Sequence, residues 1–136
     1  MDNIFVDTSG FKAIIDKKDQ FHLEAASIWR RIKESGTVLI TSNFILDETF
    51  TLIRARSGID QVILFRDILA KSSSALKIIR VTQSDEANAW AWFVKDWSKL
   101  SFTDCVSFAL MKRLNITRVI SFDNHFKRAG FICEKS

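Results

Sequence analysis

The sequence predicts an α/β fold built on a mostly parallel sheet of four or five strands, with helices on both faces. Short apolar runs alternate with helical patterns of about ten residues or more, the order expected of βαβ units. The 136 residues are 47% hydrophobic and 12% aromatic, enough to bury one core without disulfides or structural metal, so residues 1–136 are expected to form one domain. No internal repeat or low-complexity segment breaks the alternation.

The elements follow in order. "NIFVD" from Asn3 reads as the first strand, and helical segments follow to about Ser35, where Gly36 is a stop. "TVLI" from Thr37 is the second strand. A helix runs from about Ser42 to Ser57, ended by Gly58, and another from about Asp60 to Lys71. Ser72 to Ser74 form a connector, and "LKIIRV" from Leu76 is the third strand. Helices follow from about Ser84 to Trp97 and from about Thr103 to Leu114. "TRVISF" from Thr117 is the fourth strand, and "FICE" from Phe131 is a candidate fifth after the Gly130 break. There is no proline, so glycines and side-chain caps must set the helix ends; Ser42, Ser84 and Ser101 are the expected N-caps.

Composition narrows the function classes. A charged fraction of 26% and a mean hydropathy of +0.04 are ordinary for a soluble chain, and no apolar run reaches the length of a membrane span. The start, "MDNIFVDTSG", lacks the basic region and apolar stretch of a signal peptide. Cys105 and Cys133 are isolated, with no CxxC spacing, and read as small hydrophobes. A reducing cytoplasm is the expected location. The net charge of +4 and pI near 9.3 tilt the surface towards polyanions. Lys12, Lys17, Lys18, Arg30, Arg31, Lys33, Lys99, Lys112 and Arg113 are expected to form solvated faces.

In open parallel sheets, ligands bind beyond the carboxyl ends of the strands. Asp7 directly follows the first strand and Asp123 the fourth, so both are placed at that edge. In "NFILDETFTLI" the helical wheel separates two acids. At roughly 100° per residue, Glu48 falls among Phe44, Leu52 and Ala55 and points inward, whereas Asp47 lies with Thr51 and Arg54 and points outward. Asp104, in "LSFTDCVSFALMKRL", lies beside Phe108 and Met111 on a helix that is apolar nearly all round.

Each acid also has a structural role available to it. Asp104 fits a Ser-x-x-Asp capping arrangement begun by Ser101. Asp7 and Asp123 fit turn or N-cap positions, and Glu48 has Arg54 and Arg56 within reach for a salt bridge. Convergence favours a shared site. Four carboxylates in one pocket repel one another unless a cation neutralises them, and oxygen ligands select the hard ions Mg²⁺ or Mn²⁺.

"FVDTSGF", "TSNFILDETFTLIRAR", "SFTDCVSFALMKRL" and "VISFDNHFKRAGF" resemble, in order, the four acidic motifs of PIN-domain ribonucleases, especially the VapC-type toxins of VapBC toxin–antitoxin pairs. The resemblance spans essentially the whole chain. It implies a three-layer α/β/α sandwich and an endoribonuclease that cuts single-stranded or loop RNA with one or two Mg²⁺ or Mn²⁺ ions. Carried over, the catalytic and metal-holding acids are Asp7, Glu48, Asp104 and Asp123. Thr8 and Ser121 fall where the family places polar support, while Asn124 and His125 are candidate substrate contacts beside Asp123. The resemblance also implies a homodimer held in check by a cognate VapB-like antitoxin. PIN domains serve in RNA processing and decay as well, and a non-catalytic nucleic-acid-binding domain is a third possibility. Trp90, Phe93 and Trp97 recur at i, i+3 and i+7 and predict a packed or partner-binding stripe; Trp92, off that stripe, is expected to be exposed.

Overall fold

The structure, a computed structural model, describes residues 2–136. Its elements are β1 (Asn3–Val6), α1 (Thr8–Ile15), α2 (His22–Ser35), β2 (Val38–Ser42), α3 (Asn43–Ser57), α4 (Ile59–Lys71), β3 (Leu76–Ile79), α5 (Gln83–Phe93), α6 (Phe102–Arg113), β4 (Arg118–Ile120), α7 (Asn124–Arg128) and β5 (Ile132–Cys133). All strand pairs are parallel, in the order β3-β2-β1-β4-β5. The expected fifth strand is present. The short helix α7 was not foreseen, because its five residues are too few to show a period.

β1 is the centre of the sheet, which explains its unbroken apolar run. Ile4, Phe5 and Val6 are fully buried, as a strand covered on both faces requires. The two faces carry separate aromatic clusters. On one, Phe11 of α1 packs on Trp29 of α2 and Phe65 of α4, and Phe50 of α3 also meets Phe65. On the other, Phe5 meets Phe126 of α7, which packs with Phe108 of α6 and Phe131. These are the three layers of an α/β/α sandwich. No described helix is long and apolar enough to cross a membrane.

The chain runs outward from β1 to β2 and β3, then returns to place β4 on the other side of β1. The order therefore reverses between β1 and β4, and a cleft opens above their carboxyl ends. Gly10 lets α1 close down on this edge: a Cβ there would lie 2.5 Å from the Ile120 carbonyl oxygen, so any larger residue pushes α1 off β4.

Three expectations fail around α5. Its N-cap is Thr82, not Ser84: the Thr82 hydroxyl accepts from the Asp85 backbone N–H while Asp85 accepts from the Thr82 N–H. The helix also stops at Phe93, so Trp97 lies beyond it. The buried face is Asp85 and Ala89 with the half-buried Trp92, which packs edge-on against Phe108. Trp90 is the exposed tryptophan, at 52%. The pull of Asp85 towards the core rotates the helix away from the orientation that the aromatic spacing predicts.

Candidate active site

Four carboxylates from four segments reach one cavity of about 260 Å³, whose lining includes Asp7, Thr8, Glu48, Asp104 and Asp123. A larger cavity of about 580 Å³ has a lining with no acid, histidine or cysteine, from Phe11 and Trp29 to Leu76. The chemistry therefore lies in the smaller one.

Asp7 ends β1 and caps α1. It is 3% exposed and accepts hydrogen bonds from the Gly10 N–H at 2.8 Å, from the Ser9 hydroxyl at 2.8 and 3.0 Å and from the Ser121 hydroxyl at 2.7 Å. Burial still dominates and pushes its carboxyl up to about 7; the three donors oppose this, and the nearby Asp104 charge adds to it. Glu48 projects from α3 and accepts from the Thr8 hydroxyl at 2.5 Å. Asp47 is exposed, so the wheel separated the two acids as the structure does. Among the described residues Glu48 has no ion pair to Arg54 or Arg56.

Asp104 both caps its helix and lines the cavity. Ser101 and Asp104 form a reciprocal capping box at the start of α6, and the same carboxylate is 7% exposed in the cavity wall. Burial, then the charges of Asp123 and Glu48, push it up to about 6 against the pull of the Ser101 N–H. Asp123 caps α7, accepting from the His125 backbone N–H at 2.9 Å. Its own N–H donates to the Ser121 hydroxyl at 3.1 Å. Ser121 thus ties the end of β4 to Asp7.

His125 is fixed more tightly than the sequence implied. Nε2 lies 2.8 Å from the Ser98 carbonyl oxygen. Nδ1 sits 2.8 Å from Asp123 Oδ1 and 3.5 Å from Asp104 Oδ2, yet it is buried and lacks the alignment of a hydrogen bond. Burial alone lowers the imidazole pKa; the Ser98 bond and the charges of Asp123 and Asp104 outweigh it and leave the ring raised. Asn124 is exposed, and the hydrogen bonds around the carboxylates do not include its side chain.

Sequence reasoning missed Ser9, whose hydroxyl serves both oxygens of Asp7 and accepts from the Phe122 N–H at 2.9 Å. The signal was local: a serine two residues after an N-cap aspartate. It also placed Lys12 on a solvated face. Lys12 lies at the cavity rim, 2.8 Å from Asp19 and 3.3 Å from Asp16, and those carboxylates hold its ammonium above its ordinary range.

The donor set fits a divalent cation. Asp104, Asp123 and His125 each offer a ligand atom within 4.8 Å of the others, and no arginine or lysine forms an ion pair with Asp7, Glu48, Asp104 or Asp123 among the described residues. Buried carboxylates without a counter-charge are otherwise unfavourable.

Comparison with known proteins places the chain. The PIN-domain family model matches residues 4–132. Two curated relatives, the "23S rRNA-specific endonuclease VapC20" proteins of Mycobacterium tuberculosis strains CDC 1551 and H37Rv, are each 35% identical over 130 residues, covering 95% of both chains. The crystal structure of M. tuberculosis VapC20, described as a sarcin-ricin loop cleaving toxin, superposes with a TM-score of 0.84 at 34% identity, covering 98% of this chain and 99% of that one. VapBC2 from Rickettsia felis, bound to a DNA fragment from its promoter, shares the fold at a TM-score of 0.70 and 15% identity, over 97% of each chain. The chain belongs to the PIN-domain family, among its VapC-type ribonucleases.

Proposed function

We propose that this PIN-domain chain is a divalent-metal-dependent endoribonuclease acting as the toxin of a type II toxin–antitoxin pair, and that its substrate is a structured loop of ribosomal RNA. The observation that carries the reading is the cluster of Asp7, Glu48, Asp104 and Asp123, brought to the switch point of the sheet without an arginine or lysine ion pair among the described residues. The likeness to VapC20 over 95% of both chains supports the substrate class.

Asp7, Glu48, Asp104 and Asp123 would hold one or two Mg²⁺ or Mn²⁺ ions. A bound ion of this kind supplies Lewis-acid stabilisation of the scissile phosphate and lowers the pKa of a coordinated water. The chain's own groups provide orientation. Ser9, Ser121 and the Gly10 N–H fix both oxygens of Asp7, Thr8 fixes Glu48, and the capping box fixes Asp104. A net charge of +4 draws RNA to a locally acidic cleft that a cation must first neutralise. The products are a 5′-phosphate and a 3′-hydroxyl. A cytoplasmic location, a homodimer and a VapB-like antitoxin partner belong to the same proposal.

Cleavage of an RNA pool containing a sarcin-ricin loop fragment tests it, with Mg²⁺, Mn²⁺ or EDTA, beside Asp7→Asn and Glu48→Gln. Cutting is expected with either ion and lost with EDTA and with both variants. Activity that survives EDTA or either substitution overturns the metal–carboxylate mechanism.

A further inference from the structure

His125 differs from the acids around it in how its ring is held. The Ser98 carbonyl 2.8 Å from Nε2 can only accept, so Nε2 carries the proton and, in the neutral ring, Nδ1 presents a bare lone pair. Trp97 stacks nearly parallel to the imidazole, 8° between planes with centroids 6.5 Å apart, and Arg128 lies 4.5 Å over the same indole. The Ser98 carbonyl is presented by a turn in which Lys99 adopts φ 60°, a conformation a non-glycine residue keeps only where its surroundings hold it.

Nδ1 lies 2.8 Å from Asp123 Oδ1 and 3.5 Å from Asp104 Oδ2, buried and without a hydrogen bond. Three electron-rich atoms held this close repel one another unless a metal ion or a second ring proton lies between them. The 2.8 Å approach to Asp123 is close to the spacing of neighbouring ligands on an ion with metal–ligand distances of roughly 2.0–2.1 Å, and the 3.5 Å approach to Asp104 is wider than it. The Ser98 carbonyl occupies the place of the outer partner that orients a ligating histidine.

We infer that His125 Nδ1 is a direct ligand of the divalent ion beside Asp104 and Asp123, and that this nitrogen makes the site favour Mn²⁺ over Mg²⁺. Resting on the metal-dependent function above, it adds a donor that carboxylates do not supply: imidazole suits transition ions, whereas Mg²⁺ keeps to oxygen. The competing arrangement is a doubly protonated ring that serves as internal counter-ion to Asp104 and Asp123 and touches no metal.

Pulsed EPR of the metal-free protein titrated with Mn²⁺ reads the ligand directly. Wild type is expected to show ¹⁴N coupling to the bound ion, replaced by a ¹⁵N signature after labelling with ¹⁵N-histidine and absent from His125→Gln. Calorimetry should show the Mn²⁺ Kd of His125→Gln raised by about tenfold or more, with the Mg²⁺ Kd changed by less than about threefold. The other histidine, His22, is not among the residues that line the acidic cavity, and it is retained in His125→Gln, which separates the two. Bound Mn²⁺ without histidine coupling overturns the inference and leaves the metal–carboxylate function standing, as does coupling that persists in His125→Gln. Failure to bind Mn²⁺, or binding indifferent to Asp123→Asn, overturns both. The isotope comparison on wild type decides the matter even if His125→Gln does not fold.

Discussion

The starts of α5 and α6 carry the same local device with opposite electrostatics. At each, a hydroxyl of Thr82 or Ser101 accepts from the backbone N–H three residues on, and an aspartate there, Asp85 or Asp104, accepts from the cap's own N–H. Both aspartates are buried, at 1% and 7% exposure. Asp85 meets the guanidinium of Arg113 through two bonds of 2.8 and 2.9 Å. Burial, the largest single influence, raises its carboxyl, but Arg113 and the Thr82 donors more than offset this and hold it below the usual range. Asp104 meets Asp123 and Glu48 and is pushed up to about 6. Capping satisfies the backbone and leaves ionisation open. The neighbouring charge decides whether a buried acid is tied to an arginine, as Asp85 is, or left beside other carboxylates, as Asp104 is.

Substituting each aspartate in turn should separate the two roles most sharply. Asp104→Asn keeps an oxygen for the Ser101 N–H and removes the charge, and RNA cleavage is expected to fall about a thousandfold, the rate equivalent of several kcal/mol of lost transition-state stabilisation. Folded Asp85→Asn should cut the same RNA at the wild-type rate; initial rates measured side by side check this. The order reverses for stability. Asp85→Asn strands a guanidinium and is expected to lose about 2–3 kcal/mol in urea unfolding, less than a fully buried pair because the Arg113 side chain is 37% exposed.

Acidity extends the contrast. Asp7 and Asp104 have folded pKa values of about 7 and about 6, above the ordinary 3.8. The folded chain therefore binds these protons more tightly than the unfolded one, so their stabilisation is complete below about pH 4 and is lost as pH rises through 6 and 7. Asp85 and Glu134, held low by arginines, contribute in the opposite sense, losing stabilisation as pH falls below about 4. Thermal melts in EDTA should consequently peak near pH 5 and decline towards about pH 8, where Asp104→Asn is expected to melt a few degrees above wild type. A melt that is flat across this range, or an Asp104→Asn variant that melts lower, would mark Asp104 as a cap alone. The smallest effect concerns what the two regions share: Thr82→Ala and Ser101→Ala should each lose about 1 kcal/mol in urea unfolding, and a large inequality would show that the caps themselves differ.

These two helix starts also show what the sequence made legible. "SFTD" and "TQSD" carry the same pattern, yet only the first was read as a capping box, because Ser84 in the second offered a nearer cap. Asp7, Glu48, Asp104 and Asp123 could be found because each sits just past a strand, in a first turn or inside an apolar sector, which one-dimensional spacing records. Partners were not legible. The Asp85–Arg113 pair, the Ser98 carbonyl behind His125 and the Asp19 carboxylate on Lys12 join separate segments or distant turns, and only packing brings them together. The exposure of Trp90 rather than Trp92 has the same origin, since the rotation of α5 follows from the buried Asp85 and Ala89 and from no property of the aromatic spacing.

The central position of β1 sets a timetable for the molecule. Chains fold from their N-terminal part as they are synthesised, and β1, β2 and β3, with the helices around them, can pair before β4 exists. During that interval one edge of β1 is open, Asp7 has no Ser121 hydroxyl, and Asp123 and His125 have yet to be added. The last wall of the cleft is translated after everything else that lines it. A chain ordered this way cannot complete its acidic cleft until β4 and α7 have been added.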